Sequence, residues 1–206
     1  MSQLATLFQL TGSVHPAAQW QDAVLVIIDA QNEYRFGDMP LPDVEPATVQ
    51  IQQLLAAARA HGTPVAHIRH MGVPGYLFDP EGPRGQIFDE LAPIEDEAVI
   101  DKPLPNAFAQ SGLQEFVQGT GRNELIVCGF MTHMCVSATV RAAKDLGYQS
   151  TVVADACATR SLPGLESGQF DAKALHEMEL VALADFFACV VKDAACSGQV
   201  KLATDL

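Results

Sequence analysis

Positive charge is scarce in this chain. Only 12 Lys and Arg stand against 25 Asp and Glu, a formal net charge of −13 over 206 residues. Nucleic acid and anionic membrane surfaces require clustered basic side chains, so neither is an expected partner. Long apolar runs are missing too. The longest clean one, Ala23 to Ile28, falls far short of the ~20 residues that span a bilayer. No basic residue precedes Arg35, so the charged start of a secretory signal is lacking. Cysteines are few and odd in number: 128, 135, 157, 189 and 196, scattered through apolar runs without a Cys-x-x-Cys pair. That excludes a disulfide framework and makes a reducing cytoplasm the expected setting. Gly119-Thr-Gly121-Arg-Asn lacks the third glycine and strand-first context of a dinucleotide fingerprint, and neither a phosphate loop nor a serine elbow occurs.

What is present is a regular alternation. Ala23–Ile28, Pro64–Arg69, Ala98–Asp101, Glu124–Cys128, Ser150–Ala154 and Ala188–Val191 are short β-forming runs. The first is apolar throughout, as a strand buried on both faces must be. Between them, helical spacing appears in Ile51, Leu54, Leu55 and Ala58, closed by Gly62, and in Val136, Val140 and Ala143, closed by Gly147. Asp171 to Asp185 is a further expected helix, with Leu175, Met178 and Ala182 facing in. Strand–helix alternation predicts a three-layer α/β/α, Rossmann-like domain on a six-stranded parallel sheet, expected order 3-2-1-4-5-6. Without repeats, linkers or low-complexity tracts, residues 1–206 read as one domain. Its core is about 22–192, with an arm at 1–21 and a tail at 193–206. The Gly- and Pro-rich stretch from His70 to about Glu97 is long enough to suggest a functional loop.

Ligands of open α/β sheets sit beyond the carboxyl ends of the strands. Asp29, Lys102 and Cys135 each fall just past such an end. Cys135 opens a helix after the turn Phe130-Met131-Thr132, where backbone N–H groups and the helix dipole favour a thiolate over a free thiol of pKa ~8.5. Asp29 can take its proton and Lys102 can hold Asp29. Each residue also has an ordinary reading: a turn Asp, a solvated Lys, and a cysteine serving as a small core hydrophobe. Residue chemistry alone leaves the two sets of readings open.

Three stretches go further. Val26-Ile-Ile-Asp-Ala-Gln-Asn-Glu-Tyr34, Lys102-Pro-Leu-Pro-Asn-Ala-Phe108 and Gly129-Phe-Met-Thr-His-Met-Cys-Val-Ser-Ala-Thr139, in that order, resemble the signatures of the isochorismatase-like cysteine hydrolases. The resemblance covers about residues 22–192. That superfamily includes nicotinamidases, isochorismatases, carbamoylsarcosine and ureidoacrylate amidases, and streptothricin hydrolase-like proteins. It implies an Asp29–Lys102–Cys135 triad, a cis peptide at Phe130–Met131, and an oxyanion hole from the Met131 and Cys135 amides. The implied reaction is hydrolysis of a C–N bond, of amide, ureide or carbamoyl type, through a thioester. The alternatives are vinyl ether hydrolysis of the isochorismatase kind, or a non-catalytic or thiol-sensing member.

No cofactor and no metal are expected. The Asp-x-His pattern of metal-bearing nicotinamidases is absent, and His67 and His70, three apart on a strand, point to opposite faces. His133 is read as a pocket or surface residue rather than the base of a Cys–His pair. A small-molecule substrate is expected against Tyr34, Phe36, His70, Phe108 and Phe130, with Phe78 and Phe88 closing over it. Arg69, Arg84 or His70 are candidates to meet a carboxylate. The resemblance also implies a homo-oligomer, with Leu4, Leu7, Phe8, Leu10 and the tail as candidate contacts.

Overall fold

The structure, a computed structural model, describes residues 4–94 and 96–196. Six parallel strands form its centre: β1 Ala23–Ile28, β2 Val65–His70, β3 Ala98–Lys102, β4 Glu124–Phe130, β5 Gln149–Ala158 and β6 Ala188–Val191. Their order across the sheet is β3-β2-β1-β4-β5-β6, so the chain reverses direction between β1 and β4. A two-residue antiparallel pair, Leu162–Pro163 with Gln169–Phe170, hangs outside the sheet.

The central strand shows how the layers assemble. Every side chain of β1 is buried, and successive side chains of a strand point to opposite faces. Ala23, Leu25 and Ile27 meet the helix α3 (Val44–His61) through Ile51, Leu54, Leu55 and Ala58. Val24, Val26 and Ile28 meet the other layer, where Leu113 and Val117 of α4 (Leu113–Thr120) and Val140 and Ala143 of α5 (Ser137–Asp145) pack. Fully burying a Leu or Ile contributes ~1.5–3 kcal/mol, which is why an all-apolar strand belongs in the middle. α3 stops where expected, at Gly62, with φ of 63° and its N–H returned to Ala58 and Arg59. Asp43, at the start of α3, makes no side-chain cap bond.

Helix α6 (Ala172–Phe186) is capped by Asp171, whose carboxylate accepts the Ala174 N–H. Its buried face is Ala172, Leu180 and Leu183, not Leu175, Met178 and Ala182. Met178 is exposed, because α6 lies over the edge strand β6 rather than over the sheet centre, and a different stripe turns inward.

The arm folds back on its own domain. A single turn, α1 (Leu7–Leu10), buries Phe8 against Phe186 and His15, and the Leu7 N–H donates to Asp185. Phe8 is therefore spent within the chain and unavailable to a partner, whereas Leu4 and Leu10 remain exposed. The expected tail contacts at 197–206 lie outside the described residues.

The long loop after β2 is a built wall rather than a loose lid. Glu33, in the short helix α2 (Glu33–Phe36), is fully buried and accepts the N–H groups of Phe78 and Asp38. It also takes two bonds from the Arg84 guanidinium, at 2.8 and 2.7 Å. Gln31, also fully buried, donates to the carbonyls of His70 and Gly85 and accepts the His70 N–H. Phe78 and Phe88 are buried beneath these ties.

Candidate active site

Asp29, Lys102 and Cys135 meet at the carboxyl edge of the sheet. Asp29 follows β1 directly and bends the chain out of the strand with φ of 49°, a left-handed conformation that Asp tolerates better than most residues. Lys102 ends β3, opposite His70 in register. Lys102 Nζ lies 2.8 Å from Asp29 Oδ2 and 3.3 Å from Cys135 Sγ. Asp29 and Lys102 are fully buried and Cys135 is 6% exposed. A lysine taken wholly out of water needs such a partner, since an unpaired buried ion costs several kcal/mol.

Cys135 enters through a tight piece of backbone. The Gly129 conformation, φ 112°, brings β4 so close to β1 that a Cβ there would stand 2.1 Å from the Ile28 carbonyl oxygen. The Phe130–Met131 peptide is cis. The next five residues, Thr132–Val136, wind as a π turn before α5 begins. The amides of Met134 and Val136 both donate to the Met131 carbonyl, at 3.0 and 3.2 Å. The expected helix from Thr132 thus begins one turn wider than α, which rotates Cys135 toward Lys102. Two side-chain bonds hold this turn: Thr132 Oγ1 with His176 Nδ1 at 2.8 Å, and His133 Nδ1 with Thr159 Oγ1. Ser137 and Arg141 both donate to Glu179 of α6, fastening the start of α5.

The electrostatics correct one expectation. Burial, and then the charge of Asp29, push the Cys135 thiol pKa up, and Lys102 only partly offsets them. The thiol is protonated at rest, because the site is dry and a carboxylate faces it. Burial also raises the Asp29 pKa, opposed by Lys102, so Asp29 is a better proton acceptor than an exposed carboxylate.

The lining differs in part from expectation. Tyr34 is 1% exposed and lies edge-on to Phe78 and Phe130, with Phe130 against Phe88; these rings back the site. Burial and the charges of Asp29 and Cys135 hold the Tyr34 phenol protonated. His70 is at the site, its Nδ1 3.1 Å from Lys102 Nζ. Phe36 is not: it is 60% exposed, because the single turn of α2 buries Glu33 and Tyr34 and sends Phe36 outward. Phe108 stacks on Tyr148 at 5.6 Å, beside the amino end of β5 and away from the carboxyl edge. Arg69 is paired with Asp101, and Arg84 with Glu33 and Asp38, so neither is free for a carboxylate. His67 binds Glu97, which also holds Arg59.

Three residues that the sequence did not single out matter here: Thr159, Arg160 and His176. Arg160 follows β5 and has no acid or carbonyl partner among the described residues, and its Nε is buried without a hydrogen bond. The other six arginines all have such partners. Its charge reaches Tyr34 and His133, lowering the pKa of each. A cavity of about 420 Å³ opens beyond β5 between the starts of α3 and α6, lined in part by Asp43, Asp155, Thr159 and His176. It touches the triad only through Thr159 and His176.

The isochorismatase-domain profile matches residues 23–195. The chain belongs to the isochorismatase family. It is similar to a secreted isochorismatase effector, Isc1, of Verticillium dahliae, at 35% identity over 91% of this chain and 97% of that protein. It is also similar to a ureidoacrylate amidohydrolase, RutB, of Stutzerimonas stutzeri, at 28% identity over 72% of this chain and 75% of that one. The crystal structure of an isochorismatase from Pseudomonas putida superposes with a TM-score of 0.90 at 47% identity, covering 94% of this chain and 99% of that one. Family membership accounts for the six-stranded sheet, and the family includes amidohydrolases. No helix among the described residues is long and apolar enough to cross a membrane.

Proposed function

We propose that this member of the isochorismatase family is a cysteine hydrolase that cleaves a C–N bond of a small molecule through a thioester. One observation carries the reading: a buried lysine that touches both a buried carboxylate and a nearly buried thiol. A structural core has no use for that combination, whereas acyl transfer uses every member of it. Asp29 takes the Cys135 thiol proton as the sulfur attacks an amide-type carbonyl carbon. The carbonyl oxygen becomes an oxyanion, received by the amides of Met131 and Cys135. As the tetrahedral species collapses, Asp29 returns the proton to the leaving nitrogen, and an amine or ammonia departs. Water, relieved of a proton by Asp29, then opens the thioester and restores the thiol. Lys102 keeps Asp29 ionised between steps and offsets the charge that develops on sulfur.

Tyr34 and Phe130 form the apolar back of the site, and the unpartnered Arg160 is the anchor for an anionic group of the substrate. The reading therefore favours a small amide, ureide or carbamoyl compound bearing a carboxylate. A screen of such compounds for ammonia or amine release tests it. Cys135→Ala is expected to abolish turnover, and intact-mass analysis of quenched wild type should show an acyl adduct on Cys135. Full turnover by Cys135→Ala on a confirmed substrate would remove the nucleophile assignment.

A further inference from the structure

Lys102 has more acceptors around it than protons to give. An ammonium carries three N–H donors. Four acceptor atoms surround its Nζ: Asp29 Oδ2 at 2.8 Å, His70 Nδ1 at 3.1 Å, the Leu104 carbonyl oxygen at 3.1 Å and Cys135 Sγ at 3.3 Å. The sulfur is the most distant and, as a neutral thiol, the weakest acceptor of the four. Three donors are thus taken by Asp29, His70 and Leu104.

His70 is held for this contact. Its N–H donates to Gln31 Oε1 at 2.8 Å and its carbonyl accepts from Gln31 Nε2 at 3.0 Å. Phe78 stands edge-on to the ring at 5.0 Å, and strand register places His70 directly opposite Lys102. An ammonium can only donate, so Nδ1 must carry a lone pair, which makes the ring neutral with its proton on Nε2. Burial and the charge of Lys102 push the His70 pKa down to about 4, which keeps the ring neutral across ordinary conditions.

We propose that His70 is a positioning residue that withholds the third proton of Lys102 from Cys135 until the thiol has been deprotonated. This rests on the assignment of Asp29, Lys102 and Cys135 above. At rest the sulfur keeps its proton. When that proton passes to Asp29, the carboxylate becomes a neutral acid and its hold on Lys102 weakens. The N–H so released turns to the thiolate, which retains the S–H electron pair, while His70 and Leu104 keep the other two. Thiolate stabilisation is thereby coupled to proton transfer to Asp29. The charged or titratable groups facing this centre are Asp29 at the end of β1, Tyr34 on α2, His70 on β2 and Lys102 on β3. Arg160, after β5, acts on Tyr34.

The test is alkylation of Cys135 by iodoacetamide across pH, located by peptide mass, in wild type, His70→Leu and His70→Gln. Removing the acceptor in His70→Leu frees a donor for the sulfur, so the alkylation profile should move down by about one pH unit, an about tenfold gain at a given pH below the thiol pKa. Its kcat should fall more than its KM rises. His70→Gln, which supplies an acceptor oxygen, should return both toward wild type. A merely structural role would lower activity without moving the alkylation profile. A profile for His70→Leu that overlays wild type, or moves up, overturns the proposal. Nitrogen-15 spectra of the wild-type imidazoles give an independent decision: Nδ1 of His70 should be unprotonated at pH 7, and a protonated Nδ1 refutes the proposal even if His70→Leu fails to fold. Failure of the triad itself would show separately, as turnover that survives Cys135→Ala.

Discussion

Asp29 and Glu33 lie four residues apart, and both are fully buried, yet their surroundings differ. Glu33 is saturated: two bonds from Arg84 and the N–H groups of Phe78 and Asp38 hold its pKa below the usual carboxylate range despite the opposing effect of burial. Asp29 has one close cation, Lys102, and a pKa raised by burial. A carboxylate with all its lone pairs engaged is a structural pin, because protonation would break several bonds at once. A buried carboxylate with capacity to spare can accept a proton and give it back. The same residue chemistry thus fastens the loop wall at one position and suits acid–base work at the other.

Substitution at the two positions should separate these roles. Asp29→Asn removes the proton acceptor, and kcat/KM is expected to fall by roughly 10³-fold or more while the protein stays folded. Glu33→Gln should do the reverse. It strands Arg84 and loosens the wall, lowering stability by about 3 kcal/mol in urea melts, with kcat on bound substrate changed far less. If Glu33→Gln abolished kcat at full stability, the contrast would collapse.

Arg160→Gln is a smaller change at the rim. It should raise KM for a carboxylated substrate by roughly 10–100-fold, about the value of a charge-assisted hydrogen bond. Kinetics on a neutral amide of the same size should be nearly unaffected, and equal losses on both substrates would show that Arg160 is not an anchor. The mildest difference is in pH. Depressed carboxylate pKa values stabilise the native state above the unfolded value, and that stability is lost as pH falls through the folded one. Glu33 has a lowered pKa and Glu97 one held down to about 2, so thermal stability should decline steadily below about pH 4.5. Asp29, with its raised pKa, contributes in the opposite sense. In Glu33→Gln the acid decline should be shallower, and an unchanged slope would contradict the saturated reading.

Much of this was legible in the residues. β1 could only be a central strand, since all six of its side chains are apolar and only a position between two layers hides both faces. Gly62 could only close a helix cheaply. Asp29, Lys102 and Cys135 were readable because each follows a run of β-formers, and parallel strands collect such positions on one edge. Phe36 and Phe108 were misplaced because an aromatic ring announces burial without announcing where: one lies on the outward side of a single helical turn, the other on the ring of Tyr148. Met178 misled because α6 covers a sheet edge, and helical spacing gives a stripe without saying which neighbour it meets.

Sequence by itself determined the layers, the strand order and the edge where chemistry gathers. These depend on local periodicity and on the handedness of crossovers, which act over a few residues at a time. Tertiary structure alone decided how each ion is partnered. It spent Arg69 and Arg84 on acids and left Arg160 unengaged, set His70 against Lys102, and kept the Cys135 thiol protonated. Such assignments turn on separations of an ångström between residues far apart in the chain. They also depend on how much water is excluded around them, which no stretch of sequence carries alone.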